Sequence, residues 1–150
     1  MPVDINTEIV IDRPREEVVA FAADPDNATE WYEHVKRVVW RTRRPLAVGT
    51  RIGFLAESLG RQLEFVYEVT TLVPGEELVM QSTEGRFPME TTYAWVDEPG
   101  GGTRMHLRNH AEPRGVGRLS AALLRRSMRR SNAKDLSRLK AVLESGRLVD

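Results

Sequence analysis

The chain has 150 residues, 41% of them hydrophobic and 29% charged, which is the composition of a globular protein with one core and suits a single domain over residues 1–150. Its 22 basic residues balance 22 acidic ones, so no overall field draws in nucleic acid or anionic lipid, and function has to come from a particular site. Cysteine is absent, which excludes disulfides, thiolate nucleophiles and cysteine-ligated zinc.

The opening MPVDINTEIVID carries charges where a signal peptide needs an unbroken apolar stretch. No later run approaches the roughly 18 apolar residues of a membrane span. A cytoplasmic location without stable membrane insertion is the expectation. From Asp4 to Ile11 the residues alternate, with Ile5, Thr7, Ile9 and Ile11 on one parity, as a half-buried strand requires. Pro14, Glu16 and Glu17 then suit a helix start, and Val18, Phe21 and Ala22 repeat at helical spacing. Asp24-Pro25 ends that helix. Asp26 or Asn27 can cap a second short one, whose apolar stripe is Ala28, Trp31, Tyr32 and Val35.

From there to Ala111 the pattern is of strands between turn signals: Lys36–Arg43, Thr50–Ser58, Arg61–Leu72, Glu77–Glu84, Phe87–Asp97 and Thr103–Ala111, broken at Pro45, Gly49, Gly60, Pro74-Gly75, Gly85 and the Pro99–Gly102 run. Short intervals of this kind signify an antiparallel meander. With the first strand, the sheet has about seven members. Beyond Pro113 no proline follows, and Gly117 to Leu143 reads as one long helix. At about 100° per residue, Ala121, Leu124, Met128, Asn132, Leu139, Val142 and Leu143 gather into one stripe. Most of the remainder is charged: Arg118, Arg125, Arg126, Arg129, Arg130, Lys134, Arg138 and Lys140, with Asp135 the lone acid among them. Leu119 and Leu123 fall opposite the stripe, so either the helix bends or these leucines meet another surface. Monomer and homodimer both remain open.

Strand, two short helices, meander and long helix form a distinctive order, and local sequence reinforces it. Ile9-Val10-Ile11-Asp12-Arg13-Pro14 with Glu17-Val18, Asp24-Pro25-Asp26-Asn27 with Trp31, Pro45-Leu46-Ala47-Val48-Gly49-Thr50, Tyr67-Glu68-Val69-Thr70, Gly102-Thr103-Arg104-Met105 and Asp135-Leu136-Ser137-Arg138-Leu139-Lys140 together resemble the START-like (SRPBCC) superfamily, in its polyketide cyclase/dehydrase and lipid transport branch. The resemblance spans nearly the whole chain. It implies an α+β helix-grip fold, in which a curved antiparallel sheet wraps the long C-terminal helix around a cavity for an apolar small molecule. Members of the superfamily transport lipids, bind quinones or hormones, or cyclise polyketides on this architecture, so the fold alone does not choose among them.

Strand parity then nominates the cavity lining. Leu63, Phe65, Tyr67 and Val69 share one face, as do Phe87, Met89, Thr91, Tyr93 and Trp95, and the last strand offers Met105, Leu107, Asn109 and Ala111. Phe54 and Met80 come from shorter strands, Trp31 from the second helix, and Leu124, Met128 and Asn132 from the long one. Any one of these could simply fill a core. The polar minority on the inward parity, Tyr67, Thr91, Tyr93, Asn109 and Asn132, is what favours a cavity, because a sealed apolar core would have to pair each of those groups.

Catalytic signals are sparse. His106 and His110 stand ~13 Å apart along one strand and face outward by parity with Arg104 and Arg108, so with His34 they make no metal site. Gly115-Val116-Gly117 sits between strand and helix, but position 120 is serine and too little chain follows for a dinucleotide fold. It reads as a turn, and no cofactor is expected. For the cyclases of the superfamily the resemblance implies pocket arginine and tyrosine. Tyr67 and Tyr93 are the proton-donor candidates here, while no arginine falls on the readable inward parity. Glu57, Glu64 and Glu68 would enter the pocket only if the register slipped by one. The expected function is binding of a lipid, quinone or polyketide-like molecule as carrier or sensor. The alternatives are a cyclase/dehydrase-like enzyme and an interaction module using the basic helix.

Overall fold

The computed structural model describes residues 2–82, 88–112 and 117–146. Strand β1 (Val3–Ile11) buries Val3, Ile5 and Ile11 and exposes Asp4 and Asn6, as the period of two dictates. Helix α1 (Arg15–Ala22) follows Pro14, which stands at the N-cap rather than within the first turn, and carries Glu16 and Glu17 at its positive end. Asp24 caps a 3-10 turn that the sequence does not announce, its carboxylate accepting the Asp26 N–H at 3.0 Å, while Asn27 holds the N-cap position of the helix beyond but turns its side chain to donate to the Phe21 carbonyl. That turn (Pro25–Asn27) thus precedes the single-turn helix α2 (Ala28–Trp31). Tyr32 is already extended, and Val35 opens β2 (Val35–Trp40) instead of continuing the helical stripe.

The meander continues through β3 (Arg51–Ser58), β4 (Arg61–Val73), β5 (Glu77–Ser82), β6 (Met89–Asp97) and β7 (Thr103–Ala111). Leu59 and Gly60, at φ of 51° and 75°, make the two-residue turn between β3 and β4; both left-handed positions match the twist of the flanking strands. The sheet has 7 strands in the order β1-β7-β6-β5-β4-β3-β2, each pair antiparallel. A bulge between Val69 and Thr71 of β4 shifts the parity, so that Leu72 rather than Thr71 packs against the core. Phe87, the Gly85 break and the Gly115-Val116 turn lie outside the described residues.

Helix α3 (Arg118–Glu144) runs unbroken along the concave face, packed chiefly on β1 and also on α2. Ala121, Asn132, Leu139 and Leu143 of the anticipated stripe are buried, whereas Leu124, Met128 and Val142 are half-buried; Asp135 and Leu136 join the buried face. Helical geometry explains the addition, since residues 132, 135, 136 and 139 are spaced three or four apart and share a side. The core gathers Ile11, Val18, Trp31, Val69, Leu78, Trp95, Met105, Leu107, Leu136 and Leu139. Each large aliphatic buried there contributes about 1.5–3 kcal/mol relative to exposure. This core fills one end of the groove between sheet and α3.

Candidate functional site: a pocket under the long helix

The other part of the groove is not filled. A pocket of about 450 Å³ lies between α3 and the concave face. Strands β5, β6 and β7 supply its floor with Met80, Thr91, Tyr93 and Asn109; β3 and β4 supply a wall with Phe54, Ala56, Phe65 and Tyr67; the α2–β2 link supplies Tyr32, His34 and Val35; α3 closes it with Met128, Ser131, Asn132 and Asp135. Met89 also borders it. The floor groups are nearly inaccessible, whereas Phe65 is 47% exposed and marks the mouth.

Of the residues nominated from sequence, Phe54, Phe65, Tyr67, Met80, Met89, Thr91, Tyr93, Asn109, Met128 and Asn132 are thus brought together around one space. Trp31, Trp95 and Leu107 are instead packed in the core, and Leu124 is half-buried on α3 without reaching the pocket. Trp31 acts from behind. Its ring centroid lies 4.1 Å from that of Tyr32 and 5.7 Å from that of Tyr93, so it backs both tyrosines. Tyr32, His34, Val35, Ala56, Ser131 and Asp135 also line the pocket without having been nominated for it, although Tyr32 and Val35 stand on the apolar stripe read for the second short helix. For Asp135 a signal exists, the three-residue step from Asn132, but its charge places it with the solvated face. Ala56 shares the inward parity of Phe54 and is inconspicuous for its size.

Four of the pocket's polar side chains are arranged in two pairs. The hydroxyls of Tyr32 and Tyr93 meet at 2.5 Å, and the Thr91 hydroxyl donates to Asn109 Oδ1 at 2.8 Å in a buried bond across β6 and β7. Asp135 Oδ1 accepts the Glu33 N–H at 3.1 Å, tying α3 to the α2–β2 link. Asn132 Nδ2 is buried without a hydrogen-bond partner. Burial pushes the phenols of Tyr32 and Tyr93 well above the ordinary tyrosine range, and that of Tyr67 up as well, so all three are neutral hydroxyls at physiological pH. Burial also raises the Asp135 carboxyl, a shift opposed by the Glu33 N–H and by the charges of Arg138 and His34.

No lysine or arginine lines the pocket among the described residues. Glu64 and Glu68, which a slipped register would have turned inward, pair instead with Arg41 and Arg51 on the convex face. His106 and His110 lie on that face too, beside Glu8 and Asp4, as parity requires. His34 is an outlying pocket residue, its side chain 66% exposed.

A curved seven-stranded sheet gripping one long helix over an internal pocket defines the helix-grip class of α+β protein. The sequence model of the polyketide cyclase / dehydrase and lipid transport family matches residues 2–144, and the chain belongs to that family, a branch of the START-like superfamily. No curated protein is a significant match to the sequence. Among solved structures, TTHA0849 from Thermus thermophilus is similar with a TM-score of 0.77 at 23% identity, covering 96% of this chain and 99% of that one. The Zhui aromatase/cyclase from Streptomyces sp. R1128 is similar with a TM-score of 0.80 at 12% identity, over 97% and 96% of the two chains. The di-domain aromatase/cyclase StfQ of the steffimycin biosynthetic pathway is similar with a TM-score of 0.78 at 17% identity; 97% of this chain covers 51% of that one. At these identities the likeness is one of fold. No helix among the described residues is long and apolar enough to cross a membrane.

Proposed function

We propose that this protein binds an apolar small molecule, such as a lipid, quinone or polyketide-like compound, between α3 and the concave face, and serves as its carrier or sensor in the cytoplasm. The observation that carries the reading is the pocket itself: about 450 Å³, walled by aromatic and methionine side chains, with a few fixed polar groups at its floor. That combination suits one drug-sized apolar ligand oriented by one or two hydrogen bonds, and the family's description includes lipid transport. The binding set is the pocket-lining group above, with Trp31 supporting it from behind.

An apolar fluorescent probe or flat polycyclic compound should bind at about one per chain. At a hundredfold excess over Kd it should raise the melting temperature by on the order of 5–10 °C. Ala56→Trp tests the location, because Ala56 borders the pocket and its methyl makes no hydrogen bond. The variant should fold and lose binding. Saturable binding unaffected by Ala56→Trp would place the ligand elsewhere.

One observation favours a second reading, a cyclase- or dehydrase-like enzyme. Asp135 is an ionisable group inside the pocket with its pKa raised, and its charge acts on Tyr32 and Tyr93, a combination suited to acid–base work. Mass spectrometry of a poly-β-ketone analogue incubated with the protein separates the two. A carrier returns it unchanged, and an enzyme returns a cyclised isomer of equal mass but different chromatographic retention, or its dehydration product lower in mass by one water, in a reaction that Asp135→Asn slows.

A further inference from the structure

We propose that the pocket selects uncharged ligands carrying an acceptor oxygen, a ketone, quinone or ester carbonyl for example, and discriminates against carboxylates and other anions. This rests on the pocket being a ligand site and adds what kind of head group it takes.

Its inner end holds two donors that a ligand can meet. Asn132 Nδ2 is buried, the residue only 7% exposed, and has no partner; a buried donor left unpaired is costly, and an acceptor oxygen from a ligand would relieve it. In the Tyr32–Tyr93 pair one hydroxyl donates to the other, which leaves a second hydroxyl hydrogen for an outside acceptor. Both donors are neutral. The Tyr93 side of that pair is 4% exposed, so the acceptor would be met away from bulk water.

An anion would find the same neutral donors there but no opposite charge, too little to offset its desolvation. Lysine and arginine are absent from the lining among the described residues, and the one carboxyl inside, Asp135, is 3% exposed and would repel a second. The basic side chains that act on Asp135 are Arg138 and His34. Arg138 is exposed on α3, and His34 stands at the solvent side with its side chain 66% exposed, so water screens both. A carboxylate transferred into such surroundings gives up hydration without gaining a partner charge.

The test is calorimetric titration of the full chain at pH 7.5 with three probes of one shape: naphthalene, naphthyl methyl ketone and naphthoate. The ketone should bind about tenfold more tightly than naphthalene, one neutral hydrogen bond's worth, and naphthoate at least about tenfold more weakly than the ketone. Asn132→Leu should erase most of the ketone's advantage while the unliganded protein melts no lower than the parent, since no hydrogen bond is lost; a purely structural asparagine would lower it. Met128→Lys, on a half-buried lining position, should bring naphthoate level with the ketone even if Asn132→Leu does not fold. Naphthoate binding as tightly as the ketone in the parent overturns the proposal and leaves the pocket reading standing. Failure of all three probes to bind overturns both.

Discussion

Asp135 is where the charge pattern of α3 and its packing disagree. Read along the sequence it is the lone acid in a basic stripe; in the fold it is buried, with one oxygen bonded to the Glu33 N–H. Its carboxyl is raised above the ordinary value of 3.8, chiefly by burial, so the folded protein holds this proton more tightly than the unfolded chain does. The sign of the linkage follows. Below about pH 3.9 the group is protonated in both states and costs nothing. As pH rises through the folded pKa, stability is lost, and the penalty is complete once both states are ionised. Asp135→Asn keeps an acceptor for Glu33 and removes the penalty. The variant should therefore melt higher than the parent at pH 7, with the gap closing as the pH falls toward about 3.9; differential scanning calorimetry across that range checks it, and a variant that melts lower at pH 7 would mean that the charge is stabilising.

At the scale of the element, α3 is two helices in one. Its second half buries Leu136, Leu139 and Leu143, while in its first half Leu119 and Leu123 are 78% and 61% exposed. The helix is continuous past these two and leaves them exposed, so no break hides them. Stability should therefore be graded along α3. Leu139→Ala should cost about 2–5 kcal/mol, whereas Leu123→Lys should fall within about 0.5 kcal/mol of the parent. Chemical denaturation of both variants measures the contrast. A large loss from Leu123→Lys, or a smaller sedimenting mass than the parent, would show that these leucines pack against a second chain.

Across the whole molecule, zero net charge conceals an uneven distribution. On the convex face the charges are matched: Arg108 with Asp4, Arg104 with Glu8 and Glu98, Arg51 with Glu68, and Arg41 with Glu64. Exposed pairs of this kind stabilise little individually, but they cancel the field on that side. Arg118, Arg126, Arg129, Arg130 and Lys134 are exposed on α3, and among the described residues no ion pair is recorded for them. Weak adsorption to anionic vesicles at low ionic strength is expected from such a surface, disappearing at physiological salt, where the screening length is about 8 Å. Co-sedimentation with phosphatidylserine vesicles over a salt series reads this directly. Binding that persists at physiological salt would favour the interaction-module reading of the basic helix.

The sequence by itself determined the order of the elements and the faces of the strands, because both follow from local periodicity. Ile5 and Ile11 against Asp4, or Tyr67 and Val69 against Glu68, show their parity within one strand, and a turn such as Leu59-Gly60 needs only its own backbone. It also determined most of the pocket wall, since inward parity on β3 to β7 selects the same side chains whether they surround a void or a core. Tertiary structure alone decided which of them meet a void. Trp95 and Leu107 share parity with Tyr93 and Asn109, yet they lie within the core, whereas Asn109 and Tyr93, the latter at the core's edge, border the pocket. The difference lies in where α3 crosses the sheet, which depends on contacts with β1 and α2 far away in the chain. Asp135 and Tyr32 join the site for the same reason: the Glu33–Asp135 bond spans 102 residues and the Tyr32–Tyr93 bond 61, and separations of that length leave no trace in local periodicity.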